Sequence, residues 1–389
     1  MAYLIRYTYE ADFQHWHFIK NRRQEAKPVM SLKNFLIALT ILSFLIIGAC
    51  SGEPVPEGPP PPPPLPDDIP GLIAMLKEPQ QTRSNEIMEA LVSKGDQALP
   101  MIISALEGDE KFEEPAMYAI SKFGADAVQP CIAALGSQYT HVRYAAIGAL
   151  GIIGPEAEPA TDPLIDLYTR TLKSEQRKIM ETLQKITTSP TAITLIRATM
   201  NVEDLRFDAM RTLGKWGPDA NIAMDALADY LSHENDQTRM EAIDALGKIG
   251  FNDKVISGMA RIVGSDPEAR VRKEAVDILG QYGPGAAGAT TALIGALKDA
   301  DKEVQEFAAR ALGEIAPESR AAIPDLIIAL SAENPQTRRE AAIALGKFGP
   351  EASSALDALK KLESDESEEE YIRKSATDAI AAIEATPGE

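Results

Sequence analysis

Residues 338–352 read RREAAIALGKFGPEA, and the same pattern returns at a fixed interval along much of the chain. Aligned copies begin at Arg206, Arg239, Arg272 and Gln305, and each central leucine lies 33 residues from the next. Self-similarity with a period of about 20 to 50 residues is typical of repeat architectures, in which each unit packs mainly against its neighbours. The sequence therefore predicts one repeat array rather than several independent domains.

Each copy has the pattern of an amphipathic helix that ends at a glycine. An alanine lies four residues before the central leucine and an apolar residue three after it, so all three share one helix face. Glycine adopts the left-handed conformation that ends a helix, and proline cannot continue one; the pairs are Gly154-Pro155, Gly217-Pro218, Gly283-Pro284 and Gly349-Pro350. Apolar segments between the copies, such as AIPDLIIAL at residues 322–330, predict a first helix in each unit.

Looser copies extend the series in both directions and begin at Asn85, Glu114, Arg143, Gln176 and Arg373. We count about ten two-helix units, and we assign residues 69–389 to them. The outermost copies diverge most, as capping repeats do. The predicted fold class is all-α, an α-solenoid (superhelix) in which stacking buries the apolar face that no single unit could bury alone.

This pattern resembles HEAT repeats, in particular the short type found in phycobilin lyases, over roughly residues 69–383. The resemblance implies that the second helices line a concave face. It also implies a ladder of Asp and Arg side chains that joins successive repeats. The matching arginines are Arg143, Arg206, Arg239, Arg272, Arg338 and Arg373, and the best matching acids are Asp266 and Asp299.

The N-terminal region contains an apolar run at residues 35–47, FLIALTILSFLII, which has the length of a signal-peptide core and is short for a membrane span. The run ends in Ile47-Gly48-Ala49-Cys50, which resembles the lipobox of bacterial lipoproteins and implies that Cys50 is lipidated. An uncleaved signal anchor and a plain secretory signal are the alternatives. We predict a misassigned or disordered leader at residues 1–29 and a signal peptide at residues 30–49, with Met30 as the better start.

Residues 50–68 contain six consecutive prolines at 59–64, soon after this cysteine. Polyproline is stiff and extended, rising about 3.1 Å per residue, so we expect a disordered linker that acts as a stalk. More than one acyl chain on Cys50 would hold the protein stably at a membrane. The expected location is the cell membrane or the outer membrane, facing the periplasm or the exterior.

The charge of the chain limits its partners. The formal net charge is −19, which disfavours nucleic acid and gives no attraction to an anionic membrane surface. Membrane attachment therefore depends on the lipid. Cys131 lies in an apolar helical segment, where a small buried side chain is expected.

The sequence offers no recognisable catalytic, metal or cofactor motif, and we predict that the protein is not an enzyme. Beyond Cys50 there are two histidines, His141 and His233, in different repeats. Deoxyhypusine hydroxylases resemble this fold and hold iron with several His-Glu pairs, whereas only His233-Glu234 occurs here. Phycobilin lyases handle a bilin in the cytosol, which is the wrong compartment for an exported lipoprotein.

The second helices have an outward face whose character changes along the chain. Positions six, five and two residues before the central leucine, and two after it, are expected to point away from the core. They are mostly charged in the later repeats. In the early repeats they include Ala145 and aromatic or apolar residues, and the candidate partner-binding residues are Tyr118, Tyr144, Ile152, Phe207, Arg211 and Met240. A different helix rotation would instead pack these side chains inside.

The predicted function is a membrane-anchored scaffold of the bacterial cell envelope. It would bind one or more protein partners through the concave face of the solenoid. The alternative is a small-molecule-binding or lyase-like HEAT-repeat protein that holds its ligand in the same concavity.

Overall fold

A computed structural model describes residues 62–78 and 82–385 of the chain. The predicted leader, the signal peptide, the lipidation of Cys50 and most of the proline-rich linker lie outside the described residues. Every regular element within them is an α-helix or a short 3₁₀-helix. None of the described helices is both long enough and apolar enough to cross a bilayer.

The described α-helices form ten consecutive pairs, which confirms the predicted all-α repeat fold. The first helices are α1 (Ile69–Leu76), α3 (Ala98–Glu107), α5 (Val128–Ala134), α7 (Thr161–Arg170), α9 (Pro190–Thr199), α11 (Met224–Tyr230), α13 (Asp253–Ser265), α15 (Thr290–Ala296), α17 (Ile323–Ala329) and α19 (Leu356–Ser364). The second helices are α2 (Ser84–Ser93), α4 (Glu113–Ser121), α6 (Thr140–Ile153), α8 (Lys173–Ile186), α10 (Arg206–Trp216), α12 (Asp236–Ile249), α14 (Ala269–Gln281), α16 (Lys302–Glu314), α18 (Pro335–Phe348) and α20 (Glu370–Glu384).

Glycine ends several second helices, as predicted. Gly217 follows α10 with φ of 59°, and Gly349 follows α18 with φ of 57°. Residues with a Cβ atom rarely adopt this left-handed backbone conformation, so glycine is favoured here. The next residue is proline in both cases, and it opens a short 3₁₀-helix that leads into the following first helix.

One apolar core runs through the whole stack. The central leucines and the alanines four residues before them are buried in the repeats with the strongest pattern. Cys131 and Trp216 are also buried, as expected for core side chains. Successive second helices pack against each other along the stack, and each first helix packs against the second helix of its own unit. The core therefore depends on neighbouring units, as a solenoid requires.

The glycine that follows the central leucine permits a close approach between neighbouring second helices. A Cβ atom on Gly214 would lie 3.1 Å from Cα of Ala245, and one on Gly313 would lie 2.9 Å from Cα of Ala344. A side chain at either position would force the neighbouring backbone to move, so glycine favours the observed spacing of these helices. The second helices pack more extensively on each other than the first helices do.

Candidate protein-interaction surface

A ladder of arginine–carboxylate pairs joins several neighbouring units. Arg239 on α12 donates from Nε to Asp266 Oδ2 over 2.6 Å and from Nη2 to Oδ1 over 2.8 Å. Its Nη1 donates to the backbone oxygens of His233 and Glu234, each at 2.9 Å. Asp266 directly follows α13, so this bidentate pair ties one unit to the next. Both side chains are buried, and Asp266 Oδ1 also accepts from the Glu268 backbone nitrogen at 3.0 Å.

Three further rungs have the same form, although two of their acids come from other positions. Arg272 pairs with Asp299 at 2.8 and 2.7 Å, Arg143 with Glu175 at 2.7 and 2.9 Å, and Arg338 with Glu368 at 2.5 and 2.8 Å. Burial alone would raise the pKa of Glu175, but hydrogen bonds from Arg143 and Thr171 outweigh it and hold that pKa below its ordinary value. The pKa of Asp299 is lowered in the same way, against its burial, by Arg272.

The expected rung does not form at Arg206 or Arg373. Arg206 donates from Nε to the Met200 backbone oxygen at 3.1 Å, and its guanidinium carbon lies 5.7 Å from the centre of the Tyr230 ring. His233 occupies the position 27 residues after Arg206, where Arg239 and Arg272 find their aspartates. The Nε of Arg373 is buried without a hydrogen-bond partner among the described residues.

The six candidate partner-binding residues all lie on second helices, and they differ in exposure. Tyr118 on α4 and Ile152 on α6 are 45% and 46% exposed. Arg211 is also exposed, whereas Tyr144, Phe207 and Met240 are half-buried. None of the six is fully buried, so the outward face carries apolar side chains in the early units.

Three successive second helices, α4, α6 and α8, meet at Gly148 on this face. A Cβ atom there would collide with the Met117 side chain and would lie 3.3 Å from Cε of Lys178. The Nζ of Lys178 also lies 5.3 Å from the centre of the Tyr144 ring, within the range of a cation–π contact. These contacts make the surface continuous from α4 to α8.

The surface changes character at α10 and α12, where charged side chains bridge the helices. Arg211 Nη2 donates to Glu241 Oε1 over 3.2 Å.

One row of the predicted face is corrected by the structure. Ala145, five residues before its central leucine, is buried, and the equivalent Asp208 and Glu241 are half-buried. This row points toward the neighbouring second helix and not to solvent.

The titratable groups most suited to catalysis are engaged or buried. Nε2 of His141 donates to the Leu106 backbone oxygen at 2.7 Å, and Nδ1 of His233 accepts from the Asn235 backbone nitrogen at 3.1 Å. Burial raises the pKa of the Cys131 thiol to about 12, which keeps it protonated at neutral pH. Within the described residues no group of three or more His, Cys, Asp or Glu side chains could hold a metal ion.

Comparison with known proteins identifies the class to which this architecture belongs. The family model described as HEAT repeats matches residues 190–280 and 290–381. The model described as PBS lyase HEAT-like repeat matches residues 142–169. The chain therefore belongs to the HEAT-repeat proteins, as the resemblance of its repeats predicted. No curated protein sequence matches it.

Solved structures with a similar fold include Kap121p, importin beta and the Kap95:Nup1 complex. Kap121p has a TM-score of 0.56 at 16% identity, with 81% of this chain and 41% of that chain covered. Importin beta has a TM-score of 0.54 at 14% identity, with 80% and 50% covered. In the Kap95:Nup1 complex the matched chain has a TM-score of 0.54 at 14% identity, with 81% and 50% covered. The chain thus spans half or less of each of these proteins, and the likeness shows the fold.

Proposed function

We propose that this protein is a membrane-anchored scaffold of the bacterial cell envelope that binds a protein partner through the outward face of its second helices. The observation that carries the proposal is the continuous surface from α4 to α8, where Tyr118 and Ile152 are each nearly half exposed. Exposed aromatic and aliphatic side chains that adjoin on a fixed scaffold are typical of protein-binding sites.

The packing of the stack supports this role. A Cβ atom on Gly151 of α6 would lie 3.0 Å from Oγ1 of Thr182 on α8, and the Arg143–Glu175 rung joins the same two helices, so these contacts fix the spacing of α6 and α8 within the face. A surface held in place before binding loses little conformational freedom on association. Structures with the same fold include Kap121p bound to Pho4p and the Kap95:Nup1 complex.

We also propose that the chain has no catalytic activity and is held to the membrane by lipid on Cys50. His141 and His233 lie in separate units and are both hydrogen-bonded to backbone, which supports a non-enzymatic role. The lipobox-like Ile47-Gly48-Ala49-Cys50 and the prolines that follow it support the anchor and the stalk.

A cleft of about 410 Å³ between α14 and α16 favours the small-molecule alternative most directly. Its lining includes Asp277, Phe307 and Arg310. Arg310 is already bonded to Glu306 at 3.2 Å and lies 3.6 Å from Glu340, so its charge is largely compensated within the protein. This arrangement gives a small ligand few free polar partners, and we place protein binding first.

The anchor is tested by intact mass and cell fractionation of the full chain and its Cys50→Ala variant. We expect the wild type to begin at a lipid-modified Cys50 and to partition with membranes, and we expect the variant to do neither. A wild-type chain that retains residues 1–49 and partitions with the soluble fraction would exclude the anchor.

The binding face is tested by photo-crosslinking in the intact envelope. One variant carries a photoreactive amino acid at Tyr144 on α6, and the control carries it at Ile328 on α17, a first-helix residue that is 64% exposed. We expect a discrete crosslinked protein from position 144 and none from position 328. Crosslinks from position 328 alone would show that the first helices bind the partner.

A further inference from the structure

The row of residues two positions after the central leucine or its equivalent forms a basic strip in the early units. Its members are Lys122 after α4, Ile152 on α6, Lys185 on α8 and Lys215 on α10, and all four are exposed. None of the three lysines lies within ion-pair distance of a carboxylate among residues 62–78 and 82–385. Exposed carboxylates lie four residues from members of the strip at Asp126, Glu156, Glu181 and Asp219, but none of them forms an ion pair with the three lysines.

In the later units, residues of the same row form side-chain pairs within the protein. Lys248 bonds to Asp244 at 2.6 Å, Gln281 to Asp277 at 2.8 Å, and Lys347 to Glu314 at 2.7 Å. Acidic residues outnumber basic ones by 58 to 39 in this chain, so unpaired lysines are not explained by a shortage of carboxylates. The basic strip therefore has positive charge that the protein itself does not neutralise.

Two apolar side chains adjoin the strip. Ile152 lies within it, between Lys122 and Lys185 in the order of the helices, and Tyr118 lies one turn before Lys122 on α4. We propose that the basic strip binds an acidic polypeptide segment of the partner, with an apolar side chain of that segment seated on Tyr118 and Ile152. This inference rests on the proposed scaffold function and assigns the chemistry of the partner.

The spacing of the helices sets the length of the segment. Neighbouring packed helices lie about 8–10 Å apart, which is about three residues of extended chain. A segment that crosses from α4 to α10 therefore needs acidic side chains at roughly positions 1, 7 and 10 and an apolar side chain at roughly position 4. A single exposed ion pair contributes little, so the repetition along the strip must supply the selectivity.

The proposal is tested by selecting binders from a random 12-residue peptide display library with the detergent-solubilised full chain. The selection is repeated with the Lys185→Glu/Lys215→Glu variant, with the Tyr118→Ser/Ile152→Ser variant, and with Lys347→Glu as the matched control from a late unit. We expect the wild type and the control to enrich acidic peptides with an apolar residue at least fivefold. We expect the lysine variant to lose this enrichment and the apolar variant to retain fewer binders.

Neutral or basic binders, or equal enrichment by the wild type and the lysine variant, would overturn the proposal. So would a short DNA strand that binds the wild type as tightly as the selected peptides, because the strip would then attract any polyanion. Peptides that bind independently of the strip would leave the scaffold function standing while this inference fails. If no peptide binds, the inference fails, and crosslinking at position 144 decides the scaffold function separately.

Discussion

The two glycine positions of each repeat have different physical roles. The glycine four residues after the central leucine ends the helix, and the sequence pattern showed this because proline often follows it. The glycine directly after the leucine permits the contact between Gly313 and Ala344, and nothing in a single repeat reveals that contact. The steric conflict with a side chain at this position comes from the second helix of the next unit.

Gly313→Ala should therefore destabilise the fold although alanine favours helices. The added Cβ would lie 2.9 Å from Cα of Ala344, so backbone must move, and we expect a loss of about 1–3 kcal/mol. Gly264→Ala on α13 is the matched control, because a Cβ there meets nothing within 4 Å, and it should gain up to about 1 kcal/mol. Denaturant unfolding measures both, and equal effects would contradict this account of the helix contact.

The pKa values of Glu274 and Glu175 are shifted in opposite directions, so substitutions at the two residues should change the pH dependence of stability in opposite ways. Burial, followed by the charges of Asp277 and Asp244, raises the pKa of Glu274, so the ionised form destabilises the fold at pH 7. This cost is lost as pH falls through the raised pKa. Glu274→Gln should therefore raise the melting temperature at pH 7 and make little difference near pH 4.

Glu175→Gln should do the reverse. Because the folded-state pKa of Glu175 is lowered, the carboxylate stabilises the fold above its unfolded pKa of about 4.3 and loses that effect as pH falls further. The variant should melt below the wild type at pH 7, and the difference should shrink near pH 3. Melting curves at several pH values test the pair, and shifts of the same sign at pH 7 would contradict the assignment.

At the scale of helices, each of the four rungs ties a second helix to the region of the next unit where its first helix has ended and its second helix begins. Asp266→Ala would leave the buried Arg239 without its carboxylate, and we expect a loss of about 3–5 kcal/mol in the surrounding units. Asp244→Ala removes the exposed pair with Lys248 and should cost less than about 1 kcal/mol. Amide hydrogen exchange across α12 to α14 distinguishes the two, and similar exchange rates in both variants would argue against a structural ladder.

The sequence predicted the helices and the arginines of the ladder better than it predicted their partners. The arginine belongs to the recurring motif, whereas its acid belongs to a connection whose length and composition vary. Glu175 lies inside α8 and not after a first helix, so a fixed spacing could not find it. The absence of an acid at His233 was visible in the sequence, and it was the signal that Arg206 would lack a rung.

The outward face was predicted by position and corrected by packing. Periodicity placed Tyr118 and Ile152 outside, and both are exposed in the structure. It also placed Ala145 outside, but that row packs against the neighbouring second helix. The distance to that helix cannot be inferred from the pattern of a single helix. Whether the lysines of the basic strip form ion pairs likewise depends on which acidic residues lie on the neighbouring helices.

At the scale of the whole molecule, the rungs are distributed unevenly. Gln305 stands where other units carry arginine, and its Nε2 donates to the Asp299 backbone oxygen at 2.6 Å. The position 27 residues later is Ala332, so neither half of a rung is present between these units. This joint, the joint at Arg206 and His233, and the joint at Gln176, which also stands in place of arginine, divide the ladder into separate runs.

Installing the missing rung should strengthen this joint. The double substitution Gln305→Arg/Ala332→Asp supplies both partners, and we expect slower amide hydrogen exchange in α16 and α18 than in the wild type. Gln305→Arg alone is the control and should give no such protection, because the arginine would lack its acid. Protection by the single variant equal to that by the double would show that the ion pair is not responsible.

The uneven ladder also determines how the stack would behave as an elastic element. Runs of units tied by buried bidentate pairs resist bending. The joints at Gln176, Arg206 and Gln305 lack such a pair and are bridged by more exposed ones, namely Arg177–Asp208, Arg211–Glu241 and Lys347–Glu314. A tensile load applied to the ends will therefore concentrate extension at these joints. Under force the molecule should lengthen in discrete steps, as blocks of whole units separate at the compliant joints before any block unwinds.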